Sequence, residues 1–406
     1  MAFRRRNHGD ETSATHPVRL PPSPTTGDKK GALLQKLKSR RFRWQVLLAL
    51  PVFVLCFFGI THLINVAMAY VHPIWDGPEY KFLDAWATNP TAKHDSSELA
   101  NLTQNVHPIA CHSHNDYWRR VPLYEALRYG CTGVEADVWL FDNDLFVGHS
   151  TNALTKDRTF RAMYVDPLVQ ILDIQNAQNE FTATTSSASS TPKNGVFTSD
   201  PTRTLVLLVD FKNSGRDIYP VVSAQLTALR SKGYLSYHDG TTLHTGPVTV
   251  VATGNAPFDL ITGSDSTHRD IFFDAPLERL YEDPGSKSDY RKTLPTLTTP
   301  SSATSSEFNL SNSYYASVSF ASSIGYIWFG HLTDDQVKKI RGQVQGARRR
   351  GLKARYWATP EWPIALRNKV WRILEEEGVD YLNGDDLRGM ARVDWGRKRH
   401  YGAMGS

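Results

Sequence analysis

Cysteine is scarce: Cys56, Cys111 and Cys131 are the only three in 406 residues. That excludes a disulfide framework as the organising device and, with Cys56 inside an apolar run, leaves one possible pair. Cys111 sits near the end of one expected strand and Cys131 before the start of the next. Their heights differ and disulfide geometry is strict, so both are expected as small buried thiols. So few cysteines assign no redox compartment. Charge is missing altogether from Trp44 to Val71, where no Asp, Glu, Lys or Arg occurs. Roughly 20 apolar residues cross a bilayer, and a transmembrane helix is expected over 44–71, with Pro51 and His62 as tolerable interruptions. The run starts too late, and is too long, for the apolar core of a cleaved signal peptide; a buried soluble helix is the rival reading. Basic excess is also missing from most of the chain. Lys and Arg number 46 against 41 Asp and Glu, but residues 1–44 hold eleven of the former and three of the latter, leaving 35 against 38 elsewhere. The positive charge belongs to the tail and gives the folded part no nucleic-acid partner.

Residues 1–43 form a basic, Pro/Ser/Thr-rich tail expected to be disordered. Lys36, Lys38, Arg40, Arg41 and Arg43 precede the apolar run, whereas Lys81 is the first Lys or Arg after it. Positive-inside logic then keeps the N-terminus cytosolic and sends the C-terminal part across the membrane. The sequons at Asn101 and Asn309 are permitted by that topology. A stalk over 72–104 leads to a folded domain over 105–390, interrupted by Ser/Thr-rich insertions near 178–203 and 283–312 and followed by a basic tail, 391–406. No internal repeat is evident.

The domain is organised around HPIACHSHNDYWRRVPLYEALRYGCTGVEADVWLFDNDLFVGHS, His107 to Ser150. It reads as strand, helix, strand, short turn, strand, with Gly130 closing the helix. Further strands are expected in TLVLLVDFKN, PVTVVATG, RDIFFDAP, LKARYWATP and VDYLNGDDL, with YYASVSF as an accessory strand. Helices fall between them, one capped by Thr333 or Asp334 and one closed by Gly378. About eight strands alternating with helices predict an α/β fold, a (β/α)₈ TIM-barrel-like domain.

In such a barrel the C-terminal strand ends share one mouth. His112 and His114, Glu135 and Asp137, His149, and Asp210 with Lys212 all come at or near strand ends. Glu135 and Asp137, two residues apart on a strand, share a face, and two close carboxylates need a proton or a cation between them. With Asp210 they make an oxygen set for a hard divalent cation, Mg²⁺ or Ca²⁺. Lys212 offers a point charge for phosphate, and His112 and His149 can act as acid and base on opposite sides of one reacting group. Singly, each has a plainer reading: a solvated strand face for Glu135 and Asp137, a loop or core histidine for His112 or His114, a strand-end salt bridge for Asp210 and Lys212. Together they describe metal-assisted phosphodiester chemistry.

The run H-x-x-N, E-x-D, G-H, V-D-F-K resembles the phosphatidylinositol-phospholipase-C-like phosphodiesterases, chiefly the glycerophosphodiester phosphodiesterase and sphingomyelinase D branches. With HSHNDY and the closing KARYWATP and EEEGVDYLNGDDL, residues 105–390 are most similar to the fungal altered inheritance of mitochondria protein 6 family. The resemblance implies that His112 and His149 are the acid/base pair, that Glu135, Asp137 and Asp210 hold one Mg²⁺ or Ca²⁺, and that Lys212, His114, Asn115 and Trp357 contact substrate. Trp357 reads equally as a core tryptophan. Where the glycerophosphodiesterase branch has H-R-G, this chain reads His112-Ser113-His114, without the arginine. Either His114 and Asn115 replace the lost contacts, or His114 displaces His112, or both only shape the loop.

The resulting expectation is a single-pass membrane protein whose barrel hydrolyses or transphosphorylates a glycerophosphodiester or phospholipid headgroup outside the cytosol. The rival is a catalytically silent barrel serving as a membrane-tethered binding module. A zinc amidohydrolase would need histidines as metal ligands, whereas carboxylates dominate here.

Overall fold

The computed structural model describes Ala49–Ala67, residues 96–177, 192–263, 268–285 and 307–393, and positions 35, 36, 45 and 86. Most of the expected tails and stalk, and residues 178–191 and 286–306 of the Ser/Thr-rich insertions, lie outside the described residues. The chain forms two compact units, Met1–Glu79 and Tyr80–Ser406. In the first, helix α1 (Ala49–Ala67) is long and apolar enough, by length and composition, to cross a membrane. This suggests a single-pass anchor.

The second unit is a closed barrel. Its staves are β1 (Ile109–Ser113), β2 (Cys131–Phe141), β4 (Leu205–Phe211), β5 (Val248–Gly254), β6 (Ile271–Pro276), β7 (Ser313–Ser319), β8 (Lys353–Trp357) and β9 (Tyr381–Gly384); β3 (Asp144–Val147) is a spur on β2. Each stave pairs in parallel with the next, and β9 pairs with β1 to close the ring. Strand alternation sorts the side chains into two cores. Val134, Ala136 and Val138 of β2 and Leu205, Leu207 and Val209 of β4 face the helices in the main core. Val206, Leu208, Val251, Phe272, Tyr315 and Tyr381 fill the barrel interior, as staves packed on both faces require.

Two strand assignments exchange places. DLFV was expected as a stave, but β3 runs antiparallel to β2, Val138 opposite Val147. Asp142 and Asn143 are both left-handed, at φ 47° and 60°, which makes the connection a two-residue hairpin turn of the primed type that folds the chain straight back. YYASVS, expected as accessory, is a full stave between β6 and β8. The two differences cancel, so the total of eight stands.

The cysteines also depart from expectation: Cys111 and Cys131 are disulfide-bonded. Strand β2 begins at Cys131, earlier than its apolar run suggested, and Cys131 pairs with Ile109. By His112 the partner is only Gly133, so β1 holds one residue more than β2 in this interval. That irregularity brings Cys111 beside Cys131, with Cα atoms 4.8 Å apart. Closing a loop of about 20 residues contributes on the order of 3 kcal/mol.

Candidate active site

Register sets the carboxylates. Asp137 on β2 stands opposite Asp210 on β4, and Glu135, one inward step earlier, stands opposite Leu208. Oxygens of Glu135, Asp137 and Asp210 lie within 4.8 Å of one another, a grouping compatible with a metal site. Gly254, opposite Phe211 and left-handed at φ 67°, gives this corner its room: a β-carbon there would run into Asp210 Oδ1.

Lys212 follows Asp210 and places its Nζ 2.6 Å from Asp210 Oδ2 and 2.8 Å from Asp137 Oδ2. Burial works to lower the lysine pKa, but the two carboxylate charges outweigh it and raise the pKa, so the ammonium persists. Asp137 is raised to about 6, by burial first and the neighbouring Glu135 second. One ammonium among three carboxylates leaves net negative charge in a confined place. Asp137 Oδ1, buried, accepts no hydrogen bond.

His112 closes the floor. Fully buried on β1, its Nδ1 is 3.3 Å from the Tyr315 hydroxyl and its Nε2 is 3.9 Å from Glu135 Oε2. Nε2 has no hydrogen-bond partner. A β-carbon at Gly133 would overlap the His112 ring, so glycine lets β2 approach it. Burial, then the charges of Arg355 and His114, push the His112 pKa well below its ordinary value, which leaves the imidazole neutral.

The folded state resists protonation of His112 while the unfolded chain does not, so this group contributes stability above about pH 6.5 that is lost as pH falls. The slope is at most about 1.4 kcal/mol per pH unit. Asp137, raised in the fold, acts with the opposite sign as pH rises through its value of about 6. The His112 contribution therefore has to be isolated by difference. Melting temperatures of the chelator-treated chain between pH 7 and 5 should fall more steeply than those of His112→Gln; parallel profiles would refute the assignment of a protonation-resistant imidazole.

His149 reaches the rim because the β2–β3 hairpin returns it there. Gly148 N–H donates to Asp137 O at 3.1 Å, and the Trp139 indole N–H to Gly148 O at 2.7 Å. The half-exposed His149 then has Nδ1 3.6 Å from Asp137 Oδ2. The Tyr117 hydroxyl is 2.7 Å from Asp137 Oδ2, 2.5 Å from Asn115 Oδ1 and 3.2 Å from His149 Nδ1. It can donate to one oxygen while accepting from the imidazole.

Asn115, left-handed at φ 46°, donates its backbone N–H to Glu135 Oε2 at 3.3 Å. His114 sits 3.3 Å from Asp385 Oδ1. Burial lowers the His114 pKa, but its hydrogen bond with Asp385 and the charge of Glu135 turn the net shift upward. The seven residues His112, His114, Asn115, Glu135, Asp137, Asp210 and Lys212 thus meet with His149 at one end of the barrel. Trp357 ends β8, partly exposed and opposite Ser319.

Sequence reasoning missed Tyr117, Asp385 and Arg355. Tyr117 lies in the HSHNDYW run, two residues past Asn115. Arg355 lies two before Trp357 on a stave, and that spacing marks one shared face. It is buried inside the barrel, bonded to Asn383 Oδ1 at 2.8 Å, Ser317 Oγ at 3.0 Å and Asp274 Oδ2 at 3.3 Å.

Comparison with known proteins adds a family to this geometry. Residues 100–274, which carry all eight of the converging residues, match the AIM6-like phosphodiesterase domain. Altered inheritance of mitochondria protein 6 homolog of Arthroderma benhamiae is 35% identical over 297 residues, 71% of this chain and 84% of that one. The protein of that name from Eremothecium gossypii is 35% identical over 302 residues, 73% and 72%, and that of Saccharomyces cerevisiae 33% over 306 residues, 72% of each. A solved glycerophosphoryl diester phosphodiesterase of Parabacteroides distasonis aligns with 73% of this chain and 90% of its own at 12% identity and a TM-score of 0.34, too loose to bear on function. The chain carries a phosphodiesterase-like domain and belongs to the altered inheritance of mitochondria protein 6 family.

Proposed function

We propose that the chain is a metal-dependent phosphoric diester hydrolase or lyase acting on a glycerophosphodiester or phospholipid headgroup. The observation that carries this reading is a pair of buried, unpartnered polar atoms, His112 Nε2 and Asp137 Oδ1, at a three-carboxylate cluster. Unsatisfied buried groups are costly and call for a ligand. Glu135, Asp137 and Asp210 would hold one Mg²⁺ or Ca²⁺, whose charge would offset the cluster's and stabilise the phosphoryl oxygens. Lys212 Nζ can turn from the carboxylates to a non-bridging oxygen. His112 at the floor and His149 at the rim stand on different sides of that position. One takes the proton of the attacking hydroxyl, from water or from the substrate itself, and the other returns a proton to the leaving oxygen as the P–O bond breaks. Tyr117 holds the His149 ring through Nδ1, which leaves Nε2 for that transfer. His114, Asn115 and Trp357 would contact the substrate.

The test is turnover of a panel of glycerophosphodiesters and phospholipids by the purified full chain with Mg²⁺ or Ca²⁺. Turnover should need the cation and vanish with chelator. Cation binding without turnover on any substrate would leave a silent binding module, the reading that the Lys212 bridge across Asp137 and Asp210 favours.

The disulfide and the flanking charges together support a cytosolic N-terminus with the barrel lumenal or extracellular. In sealed vesicles from the producing cells, protease added outside should then leave the barrel intact where its side is enclosed. A barrel digested together with cytosolic markers would reverse the orientation.

A further inference from the structure

Among the described residues of the barrel unit, most exposed large apolar side chains lie on segments just past the C-terminal end of a strand; Leu260, whose neighbours bond Arg269 before β6, and Tyr281, against Gly342 midway along the helix Asp334–Arg349, lie elsewhere. Such side chains are densest on the segments after β7 and β8, two staves that pair along their whole length to Trp357 opposite Ser319. There Tyr326, Trp328, Phe329, Trp357, Trp362 and Ile364 are exposed, and Phe329 is 96% so. Trp118, after β1, is exposed beside the His149 ring, which puts one more exposed aromatic ring on the same face, next to the candidate active site.

The tip of this rim is built rather than loose. Ile324 and Ile327 are buried under it. Gln336 donates its side-chain N–H to Ile324 O and Tyr326 O. Lys369 holds His331 at 2.7 Å. Trp328 and His331 then bracket a tight turn, His331 N–H to Trp328 O at 3.0 Å, with Phe329 and Gly330 both left-handed. That conformation is unfavourable for phenylalanine, yet it thrusts Trp328 and Phe329 away from the protein.

We infer that this rim inserts into the surface of a lipid bilayer, so that the substrate of the site beside it is taken from the membrane. Two further observations support a bilayer as the occupant, the second of them favouring it over a protein partner. Tryptophan and tyrosine, apolar rings with a polar handle, are the side chains that favour the membrane–water interface. The same chain also carries α1, a helix fit to span a bilayer, fewer than about 30 residues before Ser96; at no more than about 3.6 Å per residue that connection keeps the barrel near the membrane that holds α1. Which substrate enters rests on the proposed function; the docking does not.

The experiment uses the full chain reconstituted in phosphatidylcholine vesicles, with the exposed free Cys56 changed to serine. An environment-sensitive fluorophore is attached to Phe329→Cys or, as a control at the other end of the barrel, to Thr241→Cys. Nitroxide-bearing phosphatidylcholine should quench the probe at 329 at least twofold and leave that at 241 unchanged. Equal emission at both positions with nitroxide lipid overturns the inference. So does a blue shift at 329 that nitroxide lipid does not quench, because a second copy would then cover the rim. If turnover is found, Trp328→Ser with Phe329→Ser should lower it at least tenfold on phospholipid in vesicles and leave it unchanged on a soluble glycerophosphodiester. Absence of turnover on both would count against the proposed function alone, because the quenching still reads the docking.

Discussion

His112→Ala should lower turnover by about 10² to 10⁴-fold, the range that a positioned general acid or base contributes. The imidazole is fully buried at the floor of the barrel, with Nδ1 engaged by Tyr315 and Nε2 aimed at the carboxylates without a partner. Its depressed pKa keeps it neutral near pH 7 and therefore able to accept a proton. His114, two residues on, is held by Asp385, and its pKa is raised, which suits it less to that role. His114→Ala should accordingly cost less than His112→Ala. The measurement is kcat for both variants on whichever diester the full chain turns over, with melting temperatures to confirm folding. A folded His112→Ala at wild-type rate, beside an inactive His114→Ala, would move the proton transfer to His114.

Much of this site was legible because strand geometry is periodic. The E-x-D spacing puts Glu135 and Asp137 on one face whatever surrounds them, and Asp210 and Lys212 end an apolar run that has only one direction to leave the barrel. What escaped depends on information that is not periodic. YYASVS is packed on both faces, so it shows no alternation to mark it as a stave. The Asp142-Asn143 turn carried its own signal, since two adjacent residues tolerant of left-handed backbone between apolar runs indicate a hairpin. That signal makes His149 a returned residue, not the end of a stave. The disulfide depended on one extra residue in β1, and no pattern of residue types reports such a shift of register. Arg355 was hidden for a different reason: an arginine inside a barrel is intelligible only once Asp274 and Asn383, from two other staves, are known to face it.

Arg355→Met should destabilise the barrel by about 3–5 kcal/mol, because it strands Asp274 without its cation in the interior. Asp274 is buried, and burial already raises its pKa, so loss of the guanidinium removes the main charge opposing that effect. For a domain of this size the melting temperature should drop by roughly 10 °C. Leucine at Asp274 in the same chain should restore most of the loss, since replacing both members of a buried ion pair is far less costly than removing one. Activity should not return with stability. Arg355 also bonds Asn383 and lies over the Tyr315 ring, 5.5 Å from its centroid, and Tyr315 carries the hydrogen bond to His112 Nδ1. Urea titrations of Arg355→Met and of the double variant measure the first effect, and kcat of the restabilised double variant measures the second. A double variant as unstable as Arg355→Met would mean that Asn383 and Ser317, not Asp274, are the partners whose loss matters. One that regained full turnover would separate Arg355 from the positioning of His112.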